Sequence, residues 1–133
     1  MRFACSSYFV PDVPKTVAFY QRAFGLRVRH MHATKSYAEL DTGTTRLTFL
    51  SEAFLVETQV FGSMRIRRNR PDEDPPAAMI VLGSEDVQAD YTRAVQAGAT
   101  PVAAPEMKPW GEHAGYVRDP DGIIIEIVKR LTQ

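Results

Sequence analysis

Few side chains in this sequence are able to do chemistry, and the most conspicuous is Glu126, set in the run Ile123-Ile124-Ile125-Glu126-Ile127-Val128. Read as a strand, the run puts Ile123, Ile125 and Ile127 on one face and Ile124, Glu126 and Val128 on the other. An ionised carboxylate among such neighbours is costly unless it is partnered, so Glu126 is expected to bind a cation, accept hydrogen bonds or stay protonated. Lys129 and Arg130 bring solvent close, and a strand-end glutamate bonded to backbone or water is the plainer reading. Cys5 is the one cysteine, which excludes an intramolecular disulfide and any zinc site built from several cysteines. A lone buried cysteine is ordinarily a small apolar filler, and a reactive one needs a base or cation nearby. His30 and His32 stand two residues apart on one strand face, more often an edge feature than a ligand pair, and His113 is an acid or base only if it lies at a cavity mouth. No Ser/His/Asp ordering, glycine-rich phosphate loop or nucleotide fingerprint is present.

Positioning these groups requires strands. Asp119-Pro120-Asp121-Gly122 is a turn that feeds a strand from Ile123 to Arg130. At the other end, Arg2 to Val10 reads as a strand with Cys5, Ser7 and Phe9 on one face and Ala4, Ser6 and Tyr8 on the other. Pro11-Asp12-Val13-Pro14 opens a helix whose apolar positions Val13, Val17, Tyr20 and Phe24 recur at helical spacing before Gly25 stops it. Three strands follow at Leu26 to Ala33, Ser36 to Asp41 and Thr44 to Ser51, the last two joined at Asp41-Thr42-Gly43. The pattern lapses from Glu52 to Pro76, where Arg65, Arg67, Arg68 and Arg70 precede Pro71-Asp72-Glu73-Asp74-Pro75-Pro76. A connection this long is a linker or a lid, and its basic cluster is a solvated face or an anion site.

The second half repeats the first. Ala77 to Leu82 is a buried strand, Ser84-Glu85-Asp86 starts a helix with a capping serine, and Val87, Tyr91, Val95 and Gly98 share one helical face, with Gly98 ending it. Strands follow at Thr100 to Ala104, Glu112 to Arg118 and Ile123 to Arg130. The fold class is therefore α+β: two βαβββ modules, residues 1–51 and 77–130 of one domain joined by a linker at 52–76, forming a curled mixed sheet around a cavity.

With 133 residues the chain buries about two thirds of its unfolded surface. Sixteen basic and sixteen acidic residues cancel, so neither nucleic acid nor an anionic membrane is an expected partner. The apolar run near the N-terminus is too short and too polar for a signal peptide, and none approaches a membrane span, so a cytoplasmic protein is expected.

Three stretches carry a resemblance: FVPDVPKTVAFYQRAFGL at Phe9 to Leu26, EDVQADYTRAVQAGATPV at Glu85 to Val102, and KPWGEHAGYVRDPDGIIIEI at Lys108 to Ile127. In them the sequence resembles the vicinal oxygen chelate superfamily of glyoxalase I, extradiol dioxygenases and fosfomycin- and bleomycin-resistance proteins, especially its small bacterial members. The likeness covers nearly the whole chain, and the DPDG turn followed by an apolar-flanked glutamate is its most specific part. Metal-dependent members of that superfamily hold a divalent ion with one side chain from each of four strands. The resemblance carries these positions onto Cys5, onto or near Thr48, onto Met79 and onto Glu126; Glu52 shares the strand parity of Thr48. Threonine and methionine are poor ligands for the ions concerned, and open catalytic sites keep about three protein ligands, so no metal or other cofactor is expected.

The resemblance also implies a cavity lined by Phe9, Leu50, Met79 and Val81, with polar points at Ser7, Thr48 and Glu126 and with Cys5 facing inward. Trp110, in the proline-rich stretch Pro105 to Gly111, either edges that cavity or plugs one end of it. Such a lining suits an apolar or aromatic organic ligand. The function implied first is metal-free sequestration of a small molecule such as an antibiotic, as in bleomycin-resistance proteins, by a homodimer, either with modules exchanged between subunits, which the 52–76 linker permits, or without exchange. The alternative is a metal-dependent lyase, isomerase, dioxygenase or thiol transferase with Glu126 as ligand and base. A third class is an interaction module whose cavity is vestigial.

Overall fold

A computed structural model describes residues 1–130, which divide into two compact units. The first comprises Met1–Gln21 and Gly25–Arg68, and the second comprises Arg22–Phe24 and the chain from Asn69 onward.

In the first unit the strands are β1 (Cys5–Val10), β2 (Arg27–Met31), β3 (Tyr37–Asp41) and β4 (Arg46–Ser51), in the order β1-β4-β3-β2. β1 lies parallel to β4 and the other pairs are antiparallel. Helix α1 (Val13–Phe24) starts where the Asp12 side chain accepts the Lys15 N–H at 3.1 Å and ends at Gly25, whose φ of 67° is the left-handed conformation of a helix stop. Its apolar stripe, Val13, Val17 and Tyr20, is buried with Val10, Ala38, Leu40 and Phe49, and the Tyr20 and Phe49 rings lie 4.9 Å apart. Burial of each large side chain contributes roughly 1.5–3 kcal/mol.

The stretch expected to be an unpatterned linker departs from that expectation at its start. Glu52–Glu57 forms a short helix, α2, capped by Ser51, whose hydroxyl accepts the Phe54 N–H at 3.2 Å. Six residues are too few to display a helical period, which is why the sequence hides it. The rest of the stretch is divided between the units at Arg68.

The second unit repeats the arrangement with β5 (Met79–Gly83), α3 (Val87–Gln96), β6 (Thr100–Lys108), β7 (Glu112–Arg118) and β8 (Ile124–Arg130), in the order β5-β8-β7-β6, with β5 parallel to β8. Two local expectations are corrected. Asp86 caps α3, accepting the Ala89 N–H at 3.1 Å, while Ser84 donates to Asp90 Oδ2 at 2.5 Å and accepts the Asp86 N–H. β6 runs on to Lys108, so Pro105 to Lys108 is strand instead of loop; register shifts on either side of Ala103 let Pro101 and Pro105 sit in an edge strand.

The Asp119–Gly122 turn is built as its residues require. The buried Asp119 carboxylate accepts the N–H groups of Asp121 and Ile123, both at 2.9 Å. Gly122 adopts φ 95°, and a Cβ there would lie 2.4 Å from the Arg70 carbonyl oxygen. Arg118 ties the same place down, donating to the carbonyls of Gly122, Arg70 and Glu73. No helix among the described residues is long and apolar enough to cross a membrane.

Candidate functional site

Each helix covers one face of its sheet and leaves the other free to carry polar groups. In the first unit the pairing registers place Ser7, Thr48, Glu39 and His30 in one row across the four strands on the face away from α1. Phe9, Leu50 and Tyr37 form the next row, and Cys5 pairs with Arg46. The Ser7 and Thr48 hydroxyls are hydrogen-bonded to each other, and Thr48 also donates to the Ser6 carbonyl at 3.2 Å. Cys5 Sγ lies 3.9 Å from Ser7 Oγ, which puts it in a small polar cluster with Arg46 as its partner in register.

The centre of this face is Glu39, only 8% exposed. Its Oε2 accepts the Tyr37 hydroxyl at 3.2 Å. Oε1 lies 3.2 Å from Nε of Arg46 and 3.4 Å from Nε of Arg29, yet neither N–H is aimed well enough to be a hydrogen bond, so these contacts are attraction between charges alone. Burial first, then the bond to Glu39 and its charge, push the Tyr37 hydroxyl above its ordinary pKa. Sequence reasoning missed Glu39. The alternation of Tyr37, Glu39 and Asp41 with Ala38 and Leu40 reads as a solvent face, and only the long arginines of neighbouring strands bury it.

In the second unit the equivalent row is Val81, Glu126, Tyr116 and Ala103. Glu126 is 7% exposed, and the Tyr116 hydroxyl is hydrogen-bonded to its carboxylate. Tyr116 is pushed upward first by burial, then by the Glu126 charge, and also by a hydrogen bond to that carboxylate. The Lys108 ammonium lies 5.4 Å from the centre of the Tyr116 ring and 2.7 Å from Glu106 Oε1. Met79 and Val81, expected to line a cavity, are 45% and 52% exposed on this face. Trp110 sits in the β6–β7 turn, 64% exposed, its indole N–H donating to Glu112 Oε2 at 3.1 Å.

The two histidines differ in their surroundings. β2 ends at Met31, and His32 lies beyond it with Nδ1 2.7 Å from the Thr34 hydroxyl, whereas His30 stays in the row beside Glu39. His113 is half-buried on β7.

The chain belongs to the glyoxalase/bleomycin resistance protein/dioxygenase superfamily, whose family model matches residues 2–127. It is 28% identical over 123 residues to the uncharacterized protein YraH of Bacillus subtilis strain 168, covering 92% of this chain and 93% of that one. Among solved structures it is similar to a glyoxalase-related enzyme from Fulvimarina pelagi, at 21% identity and a TM-score of 0.80 over 98% of this chain and 88% of that one. It is likewise similar to TioX from Micromonospora sp. ML1, at 21% identity and a TM-score of 0.71 over 98% of this chain and the whole of the other.

Some superfamily members use a divalent metal, so the residues at the corresponding positions bear on what this chain can hold. Thr48 has its hydroxyl engaged by Ser7 and Ser6. Met79 pairs with Ile124, and the fifth-strand residue in register with Glu126 is Val81, which has no donor atom. Among the described residues, no three His, Cys, Asp or Glu side chains come together in a way that could hold a metal ion. Within the second unit, one carboxylate with a thioether and an apolar residue at the fifth-strand positions does not suit a hard or borderline divalent ion.

Proposed function

We propose that this chain binds a small apolar or aromatic organic compound, such as an antibiotic, without a metal, in the manner of bleomycin-resistance proteins. The observation that carries the reading is the composition of the sheet face turned away from α3. There, exposed Met79 and Val81 flank a single buried carboxylate, Glu126, whose partner is the Tyr116 hydroxyl and whose neighbours in register supply no metal donor. Apolar side chains with one or two fixed polar groups are the usual lining of a small-molecule site. Phe9 and Leu50 beside Ser7, Thr48 and Cys5 give the face of the first sheet the same mixture, and Trp110 offers an exposed ring. On this reading Glu126 and Tyr116 orient the ligand through hydrogen bonds and the apolar groups bind its body.

Thermal denaturation with two sets of additives tests this. Planar aromatic antibiotics at a hundred times their dissociation constant should stabilise the protein by about 2.7 kcal/mol, and nickel, zinc, manganese or magnesium should leave its Tm unchanged. Stabilisation by divalent ions alone contradicts the proposal and favours a metal-dependent lyase, isomerase or dioxygenase. Association into a cytoplasmic homodimer belongs to the same proposal, supported by Val102 and Met107, exposed on the edge strand β6. Sedimentation equilibrium should give twice the chain mass, and a monomer at every concentration contradicts this part.

A further inference from the structure

The segment after α2 carries a feature that neither the fold nor the proposed site uses. Gln59 and Gly62 both adopt left-handed backbone, with φ of 51° and 63°. They fold the chain back on α2, with the Gln59 N–H donating to the Val56 carbonyl and the Val60 N–H to that of Leu55. The result is a cavity of about 400 Å³ whose apolar wall is Leu55, Val56, Phe61, Met64 and Ile66. Its remaining wall includes Arg65 and Arg68, and no acidic side chain lines it. Neither guanidinium is paired with a carboxylate among the described residues, in contrast to Arg29 and Arg46 on the sheet of the same unit. Phe61 packs against Phe9 with ring centres 5.8 Å apart, which fixes one wall of the cavity to β1.

A cavity of this size, apolar along one wall and polar along the other through Gln59, Ser63 and the arginines, fits a small amphipathic organic molecule. Two unpaired guanidiniums at its wall select the charge of what enters, because an arginine fork binds a carboxylate in two parallel hydrogen bonds. We infer that the 55–68 segment is a binding site for a small amphipathic carboxylate, its hydrocarbon or aromatic body against Leu55, Phe61 and Met64 and its acid group on Arg65 and Arg68. The site lies wholly within the first unit and meets the proposed sheet-face site at the Phe61–Phe9 contact, but it does not rest on that proposal, because its arginines and apolar wall belong to residues 55–68.

Amide NMR shifts of the ¹⁵N-labelled protein during titration with decanoate, with 2-naphthoate and with neutral decan-1-ol test the inference. The two acids should produce saturable shifts at residues 55–68, and the stronger of them shows whether a chain or a ring suits the wall. In R65Q/R68Q, two exposed substitutions, affinity for the acids should fall about tenfold while that for decan-1-ol stays the same, since charged hydrogen bonds carry the difference. Absence of saturable shifts, shifts only outside 55–68, or equal acid affinity in the variant would overturn it. An unchanged amide spectrum of the unliganded variant shows that its fold is intact.

Discussion

Glu39 and Glu126 are the two buried carboxylates on the sheet faces turned away from the helices, and each is matched with a tyrosine. Glu39 also neutralises two half-exposed arginines, whose attraction solvent screens to a fraction of its buried value. Glu39→Gln should therefore cost about 1–2 kcal/mol, read from the urea midpoint, because it strands two guanidiniums but keeps an acceptor for Tyr37. Glu126→Gln should cost under about 1 kcal/mol, as an amide oxygen still accepts from Tyr116. Both tyrosines are held above their ordinary value of 10.0 in the folded protein. A raised folded pKa means that the folded state keeps its proton longer than the unfolded chain. The stabilisation is thus whole below pH 10 and is lost as pH climbs through the folded values. Denaturation midpoints should hold up to about pH 10 and fall above it, with a shallower fall in Tyr116→Phe and Tyr37→Phe. An alkaline limb as steep in both variants as in the parent contradicts these assignments.

At the scale of elements, the Asp119–Gly122 turn holds β8 in place by two means that can be separated. Asp119→Ala removes the acceptor of one buried and one part-buried N–H group and should cost about 2–3 kcal/mol. Gly122→Ala adds a left-handed penalty to a clash with the Arg70 carbonyl and should cost more than the roughly 1 kcal/mol of a typical glycine at positive φ. The helix starts make a further comparison: Asp86→Ala should lose about 1 kcal/mol through the lost cap, and Ser84→Ala less, since Ser84 bonds the Asp86 N–H and the Asp90 side chain and satisfies no free N–H of the first turn. These elements were legible because their signals are local. DPDG, Asp12 and Gly25 act through neighbouring backbone. What the sequence hid is either too short for a period, as in α2, or set by bulges, as where β6 carries two prolines on to Lys108. The choice of Asp86 over Ser84 as cap was likewise hidden, because two competent residues stand two positions apart.

At the scale of the whole molecule, one strand order occurs twice, β1-β4-β3-β2 and β5-β8-β7-β6, and the residues in equivalent rows differ. Ser7, Thr48, Glu39 and His30 in the first unit answer to Val81, Glu126, Tyr116 and Ala103 in the second. Glu126 was recognisable in advance because its apolar flanks make it anomalous along the chain. Glu39 and Tyr116 were not, because they owe their place to cross-strand neighbours that no sequence interval records. The superfamily's metal chemistry needs about three donors around one ion, and the row that holds Glu126 offers that single carboxylate, with Val81 beside it. Elemental analysis of protein purified without chelator tests the proposal of metal-free binding most directly. The account predicts less than about a tenth of an equivalent of any divalent transition metal, and near-stoichiometric metal that is lost in Glu126→Gln would contradict it.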